Sequence, residues 1–305
     1  KSNSNVYIFV SLGFLFSILI SIIKKIFFEK YQNVRELAEN TTVPVLGGVS
    51  LLKDEINLMD IKIRSKDHFV ESLRSIRTAI NFLLSKEKKD NVNLKSFLIT
   101  SIHPGEGKTF TTLNLARIFA SSGKKVLVVD FDMHKPKVHK VLDLSNEKGN
   151  STNLSLKSSF DSSNVNIEEN LDVITSGPVP PNPSELVMSN RVIELINYAE
   201  KNYDLLFIDT PPIGYITDAL VLSSLVDHSL FVMNTKFANK KGLKFLEEII
   251  QKSKINSSAL ILNSIKNSRW KYYYGKYGYG YGYGYGYGYG YGYGYGEKVK
   301  KTNLN

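Results

Sequence analysis

The stretch Lys95–Gly123, "KSFLITSIHPGEGKTFTTLNLARIFASSG", runs from an apolar strand pattern through a glycine-containing bend into a helical pattern. A strand entering a helix through such a bend is the architecture of a phosphate-binding loop, or P-loop. The backbone amides of Gly105, Glu106, Gly107 and Lys108 are expected to point into the bend and cradle phosphate oxygens, helped by the N-terminus of the following amphipathic helix. Lys108 would neutralise the β- and γ-phosphates, and Thr109 would offer its hydroxyl to Mg²⁺. In the spacing G-x-x-x-x-G-K-[ST] the first glycine falls on Ile102, so the loop is a variant. Gly-Lys-Thr is a common tripeptide; its place between an apolar strand and a helix gives it meaning.

Further apolar strands carry carboxylates at their C-terminal ends, where ligands sit in an open α/β sheet. "KKVLVVDFD" ends in Asp130 and Asp132, two apart and therefore on one side of an extended chain. "YDLLFIDTPP" presents Asp209. One aspartate after a strand reads as a turn or cap, whereas three beside a P-loop read as a shared Mg²⁺–nucleotide site. "LDVITSG", "HSLFVMN" and "SALILNSI" add strands that alternate with helical stretches. The expected fold is α/β: a mostly parallel sheet of the P-loop NTPase type with helices on both faces. His103, His134 and His228 lack metal-ligand spacing.

Upstream, "DHFVESLRSIRTAINFLLSKEKK" from Asp67 places Phe69, Leu73, Ile76, Ile80 and Leu83 on one face of a helix. Residues 29–60 read as a juxtamembrane linker containing the short apolar run Val43–Val49. Before it, Val6 to Ile23 form 18 residues without a charge. A helix of that length rises roughly 27 Å, enough with the following Ile-Phe-Phe to cross a hydrocarbon core. Residues 1–28 are therefore expected to hold a transmembrane helix. Lys24, Lys25 and Lys30 follow it, which places the rest of the chain in the cytoplasm. The chain opens on Lys1, and a preceding N-terminal part is expected to be missing.

The composition is that of a globular protein, 42% hydrophobic and 22% charged. Cysteine is absent, which excludes disulfides and thiolate metal sites. A formal charge of +10 favours anionic partners. The basic residues are dispersed and do not cluster with aromatics along a groove, so a nucleic-acid partner is not expected.

Residues 61–266 thus read as the folded domain and 267–305 as a tail of another kind. Thirteen of the chain's 18 tyrosines fall between Lys271 and Lys300, alternating strictly with glycine from Tyr277 to Gly296. They are Tyr272, Tyr273, Tyr274, Tyr277, Tyr279, Tyr281, Tyr283, Tyr285, Tyr287, Tyr289, Tyr291, Tyr293 and Tyr295. Glycine at every second position and the lack of aliphatic side chains leave nothing with which to build a core.

Taken together these residues resemble the bacterial tyrosine kinases, the cytoplasmic half of polysaccharide co-polymerases. "TSIHPGEGKT" is similar to their Walker A loop, "VLVVDFDMHKP" to Walker A′ and "LLFIDTPP" to Walker B. "GPVPPNPSEL" resembles a further family segment, and "ESLRSIR" matches E-x-x-R-x-x-R at Glu71, Arg74 and Arg77. The resemblance implies an ATP- and Mg²⁺-dependent autokinase whose tyrosine-rich tail is phosphorylated in trans, between subunits of a ring. It implies catalytic roles for Lys108, Asp130 and Asp132, metal contacts from Thr109, Asp132 and Asp209, and a base contact from Asn263. Glu71, Arg74 and Arg77 would join subunits, and the 13 tail tyrosines would accept phosphate. Implied partners are other copies of the chain, the cytoplasmic membrane, the missing co-polymerase part and the polysaccharide export machinery. The chain departs from the family at His134, where an arginine is usual, and at Ile102, where a small residue is usual.

The rival reading is a partitioning ATPase of the deviant Walker type, a nucleotide switch without kinase activity. Those proteins carry a lysine at the position of His103, and they bind membranes reversibly. A dead scaffold is opposed by the joint presence of Lys108, Thr109, Asp130, Asp132 and Asp209.

Overall fold

The computed structural model describes residues 7, 9–20, 30–52, 58–85, 94–156, 158–255 and 257–266. All six strands expected above form: β2 (Lys95–Ser101), β3 (Val126–Asp130), β5 (Leu171–Ile174), β6 (Leu205–Asp209), β7 (His228–Asn234) and β8 (Ser258–Ile265). β1 (Val45–Ser50) and β4 (Asn164–Glu168) complete an eight-stranded sheet of order β1-β8-β7-β2-β6-β3-β5-β4. Every neighbouring pair is parallel except β4–β5. The central strands are buried on both faces and so read as unbroken apolar runs. Leu98, Leu127 and Leu206 enter the core on one face, and Phe97, Val128 and Phe207 the core on the other.

Two helices stack on the second face. Helix α3 (His68–Ser85) follows the short helices α1 (residues 9–20) and α2 (Val34–Ala38) and buries Phe69, Leu73, Ile76 and Ile80. Leu83, the last residue of the expected face, is half-buried. Helix α4 (Lys108–Ala120) is buried on nearly every side and not amphipathic as expected. Its outer side is covered by α3, with the rings of Phe69 and Phe110 5.7 Å apart.

The reading of residues 29–60 as a linker is corrected. Within it, β1 pairs with β8, and α2 inserts Val34 and Leu37 into the core. β1 sits so close to β8 that a Cβ on Gly48 would lie 2.1 Å from Ile265 Cδ1, so the glycine permits the pairing. The same stretch is bonded to the loop after β7: Tyr31 N donates to Ala238 O at 2.8 Å, and Gln32 Nε2 to Thr235 O at 3.0 Å.

Residues 9–20 are helical and present Phe9, Leu12, Phe14, Leu15 and Phe16 outward. Among the described residues no helix is long and apolar enough to cross a membrane. The ends of the expected span and all 13 tail tyrosines lie outside the described residues.

Candidate active site

Parallel strands deliver their C-terminal loops to one edge, and the P-loop sits there between β2 and α4. Gly105 (φ +83°) and Gly107 (φ +88°) are both left-handed. At Gly107 the constraint is double, because an added Cβ would also lie 2.1 Å from Asn263 Nδ2. At Gly105 nothing stands within 4 Å. Gly107→Ala is therefore expected to lower nucleotide affinity by at least about tenfold, while Gly105→Ala bears only the backbone cost of about 1 kcal/mol. Titration with a fluorescent ATP analogue checks the contrast, and equal losses would contradict it.

The loop is latched from beneath. Glu106 is 1% exposed and turns inward. Its Oε2 accepts from His103 N (2.8 Å), its Oε1 from Asn234 N (3.4 Å), and its backbone carbonyl from Asn263 Nδ2 (2.9 Å). Asn263 Oδ1 accepts from Ser264 N at 2.7 Å. Asn263 thus bonds the P-loop through Nδ2 and its own strand through Oδ1. Burial lifts the Glu106 pKa from 4.5 to about 7, against the lowering effect of backbone amides. Because the folded value lies above the unfolded one, its stabilising contribution is complete below about pH 4.5 and is lost as pH rises through about 7. Glu106→Gln should flatten the decline in melting temperature between about pH 5 and pH 8. Parallel melting curves for wild type and variant would refute this.

Above the latch, Lys108 Nζ donates to Asp132 Oδ2 at 3.3 Å. Thr109 Oγ1 donates to Asp209 Oδ2 at 2.6 Å, and Thr112 Oγ1 to Asp209 Oδ1 at 3.4 Å. Asp130 and Asp209 face each other in register across β3 and β6. Asp132 is not on the strand as expected. β3 ends at Asp130, and the chain turns so that Asp132 N donates to Asp130 Oδ1 at 2.9 Å. Asp130 Oδ2 is buried without a partner. Burial first and the charge of Asp209 second raise the Asp130 pKa well above its ordinary value. Asp209 is lifted to about 6 by burial, with Lys108 and Thr109 opposing.

Sequence reasoning singled out His134 but missed Asp218 and Ser184, which it meets at this edge. His134 Nε2 lies 2.9 Å from Asp218 Oδ2, and Ser184 Oγ donates to Asp218 Oδ1 at 2.8 Å. Asp218 thereby ties the histidine in the family's arginine position to the segment Gly177–Leu186. Glu71, Arg74 and Arg77 lie apart from this edge, on α3. Arg74 Nη1 donates to Glu71 Oε1 (2.5 Å) and its Nη2 to Ile63 O (2.9 Å), while Arg77 Nη1 donates to Ile118 O (3.3 Å).

A parallel sheet carrying a glycine-bent loop, a lysine and buried carboxylates at its carboxyl edge is a nucleotide-binding P-loop domain, and residues 95–262 match the family described as an AAA domain. The chain is 40% identical over 209 residues to tyrosine-protein kinase YwqD of Bacillus subtilis strain 168, covering 68% of this chain and 86% of that one. It is 36% identical over 213 residues to tyrosine-protein kinase etk of Escherichia coli strain K12, covering 68% of this chain but 28% of the longer relative. The solved kinase domain of Escherichia coli ETK superposes with a TM-score of 0.70 at 28% identity, over 84% of this chain and 100% of that one. The chimerical protein CapA2B2 gives 0.68 at 33% identity, over 76% and 99%. The chain belongs to the bacterial tyrosine-protein kinases. That relationship favours the kinase reading over the partitioning ATPase.

Proposed function

We propose that the chain is an ATP- and Mg²⁺-dependent autokinase that phosphorylates the tyrosine cluster 272–295 of neighbouring copies, and that this controls polysaccharide polymerisation and export at the cytoplasmic membrane. The observation that carries the reading is the buried set of one lysine and three aspartates at the P-loop, with Asp130 Oδ2 unpartnered, in a chain that carries thirteen tyrosines between Tyr272 and Tyr295.

The donor set fits a divalent cation bound together with a polyphosphate. Among the described residues no three acidic or histidine side chains close on one point. Carboxylates that share a metal with phosphate oxygens and water need not do so. Thr109, Asp132 and Asp209 are the residues that would hold Mg²⁺, which supplies charge neutralisation at the β- and γ-phosphate oxygens. Lys108 and the amides of the loop and first turn of α4 would hold the phosphates in line for attack. In the transfer, the bond from the γ-phosphorus to the β–γ bridging oxygen breaks and a bond to the tyrosine Oη forms. The phenolic proton passes to the Asp130 carboxylate, whose Oδ2 has no partner within the protein. ADP and phosphotyrosine result.

The membrane placement is supported by the apolar run of residues 6–23, by the outward apolar side chains of α1, and by the lysines that follow. Assembly through Glu71, Arg74 and Arg77 is supported by the family signature. Arg74 and Glu71 keep 29% and 37% side-chain exposure within their mutual ion pair, leaving the arginine partly open to a neighbour. Arg74→Ala with Arg77→Ala should give monomers and several-fold slower phosphorylation. An unchanged mass by light scattering would remove these residues from the interface. The whole reading is tested by incubating the purified chain with Mg²⁺ and labelled ATP and probing for phosphotyrosine. Absence of phosphotyrosine would sink it.

A further inference from the structure

Three aromatic side chains that phosphoryl transfer leaves unused stand together at the rim of the site. Phe237 follows β7, His103 follows β2 and Tyr215 follows β6, three strands adjacent in that order. The parallel sheet therefore sets the three rings side by side at the P-loop edge. The His103 ring centroid lies 6.1 Å from that of Tyr215 and 6.4 Å from that of Phe237, and Tyr215 Oη is 3.4 Å from His103 Nδ1. Tyr215 is 67% exposed and Phe237 37%, although a core lies directly beneath them.

The spacing of this rim matches one sequence in the chain. In an extended segment alternate side chains share a face, and residues two apart are about 6.6 Å apart. An alternating Tyr-Gly repeat in that form presents a row of phenol rings on one face and bare backbone on the other. Its ring spacing is that of the rim. Edge-to-face or offset pairing of such rings is worth a factor of about 2–12 in affinity per pair.

We propose that the rim of His103, Tyr215 and Phe237 is a docking surface for the tyrosine–glycine segment 272–295 of a copy of this chain, an inference that rests on the kinase reading and specifies how that substrate is recognised. Non-reacting tyrosines pair with the rim while another reaches Lys108 and Asp130. Because the repeat is periodic, a shift of two residues restores every ring contact and brings the next tyrosine forward. Recognition is thus indifferent to register, and many acceptors are served by one surface. β8 ends at Ile265 at this same edge, and in the sequence the tyrosine segment begins seven residues later and the strict repeat twelve.

The test uses the full chain, first allowed to phosphorylate itself with unlabelled ATP, and two synthetic peptides. One carries residues 276–296; the other is identical except that every tyrosine but one is serine. For the wild type, kcat/KM per tyrosine should be about tenfold higher for the repeat, through KM. Tyr215→Ala should abolish that advantage without changing ADP affinity, and Tyr215→Phe, which keeps the ring, should preserve it. Anisotropy of the labelled repeat reads docking without chemistry, and its Kd should rise about tenfold in Tyr215→Ala. An unchanged preference and Kd in Tyr215→Ala would overturn the proposal, as would a matching loss of ADP affinity, which would give the rim to the nucleotide. A wild type that forms no phosphotyrosine yet binds the repeat through Tyr215 would instead sink the kinase reading and leave the docking surface standing.

Discussion

Asp130→Asn should melt at a higher temperature than the wild type and form no phosphotyrosine. Asp130 is fully buried, one of its oxygens has no hydrogen-bond partner, and it faces Asp209 across the β3–β6 pair. Its pKa is raised in the folded state, so the stability it contributes is present in acid and is lost as pH rises from the ordinary value through the raised one. At neutral pH the side chain is therefore a burden to the nucleotide-free protein. Asparagine keeps an oxygen to accept from Asp132 N and removes the charge. The gain is about 1–3 kcal/mol, or a few degrees in melting temperature. It should grow with pH and vanish in acid. The same substitution removes the proton acceptor proposed for the transfer, a loss of at least about 10²-fold. A variant that melts below the wild type at pH 7, or that retains phosphotyrosine, would show that Asp130 is structural.

Lys108→Met should be equally inactive and move stability the other way. Lys108 bonds Asp132 and opposes the rise in the Asp209 pKa, so its removal leaves buried carboxylates facing one another without a cation. Breaking a buried pair in this way costs on the order of 3–5 kcal/mol. Asp209 already titrates near 6, and without the lysine it would hold its proton to higher pH. The deficit should be largest above about pH 6 and shrink as the carboxylates protonate on acidification. Melting curves across pH decide it, with a filter assay for labelled ATP to read binding. Two inactive variants that differ from the wild type in stability with opposite signs would separate a charge held for chemistry from one held for the fold.

The central strands were legible because burial on both faces leaves unbroken apolar runs. β1 was not, since Pro44, Gly47 and Gly48 interrupt its pattern; Gly48 answers to Ile265, more than two hundred residues away. β4, "NVNIE", is an edge strand with a largely polar sequence. In the site, Lys108, Thr109, Asp130 and Asp209 could be read because local spacing places them at strand ends and in the loop. The bond from Asn263 to the loop could not, because its partner Glu106 is 157 positions distant. Nor could the link of His134 and Ser184 through Asp218, which joins the loop after β3 to the first turns of the helices Pro183–Val187 and Asp218–Ser223.

The pairing of β1 with β8 also has a consequence for how the chain comes into being. Val45 pairs with Leu260, so the first strand of the sheet waits for the last. At a synthesis rate of about 5–20 residues per second, that wait lasts roughly 10–40 seconds. Until then β1 cannot take its place, and β7 presents an unpaired edge on the emerging protein. Contacts of such sequence separation also make the final closure slow compared with formation of the helices. The tyrosine repeat emerges only after β8, so its acceptors appear once every strand of the sheet has been made.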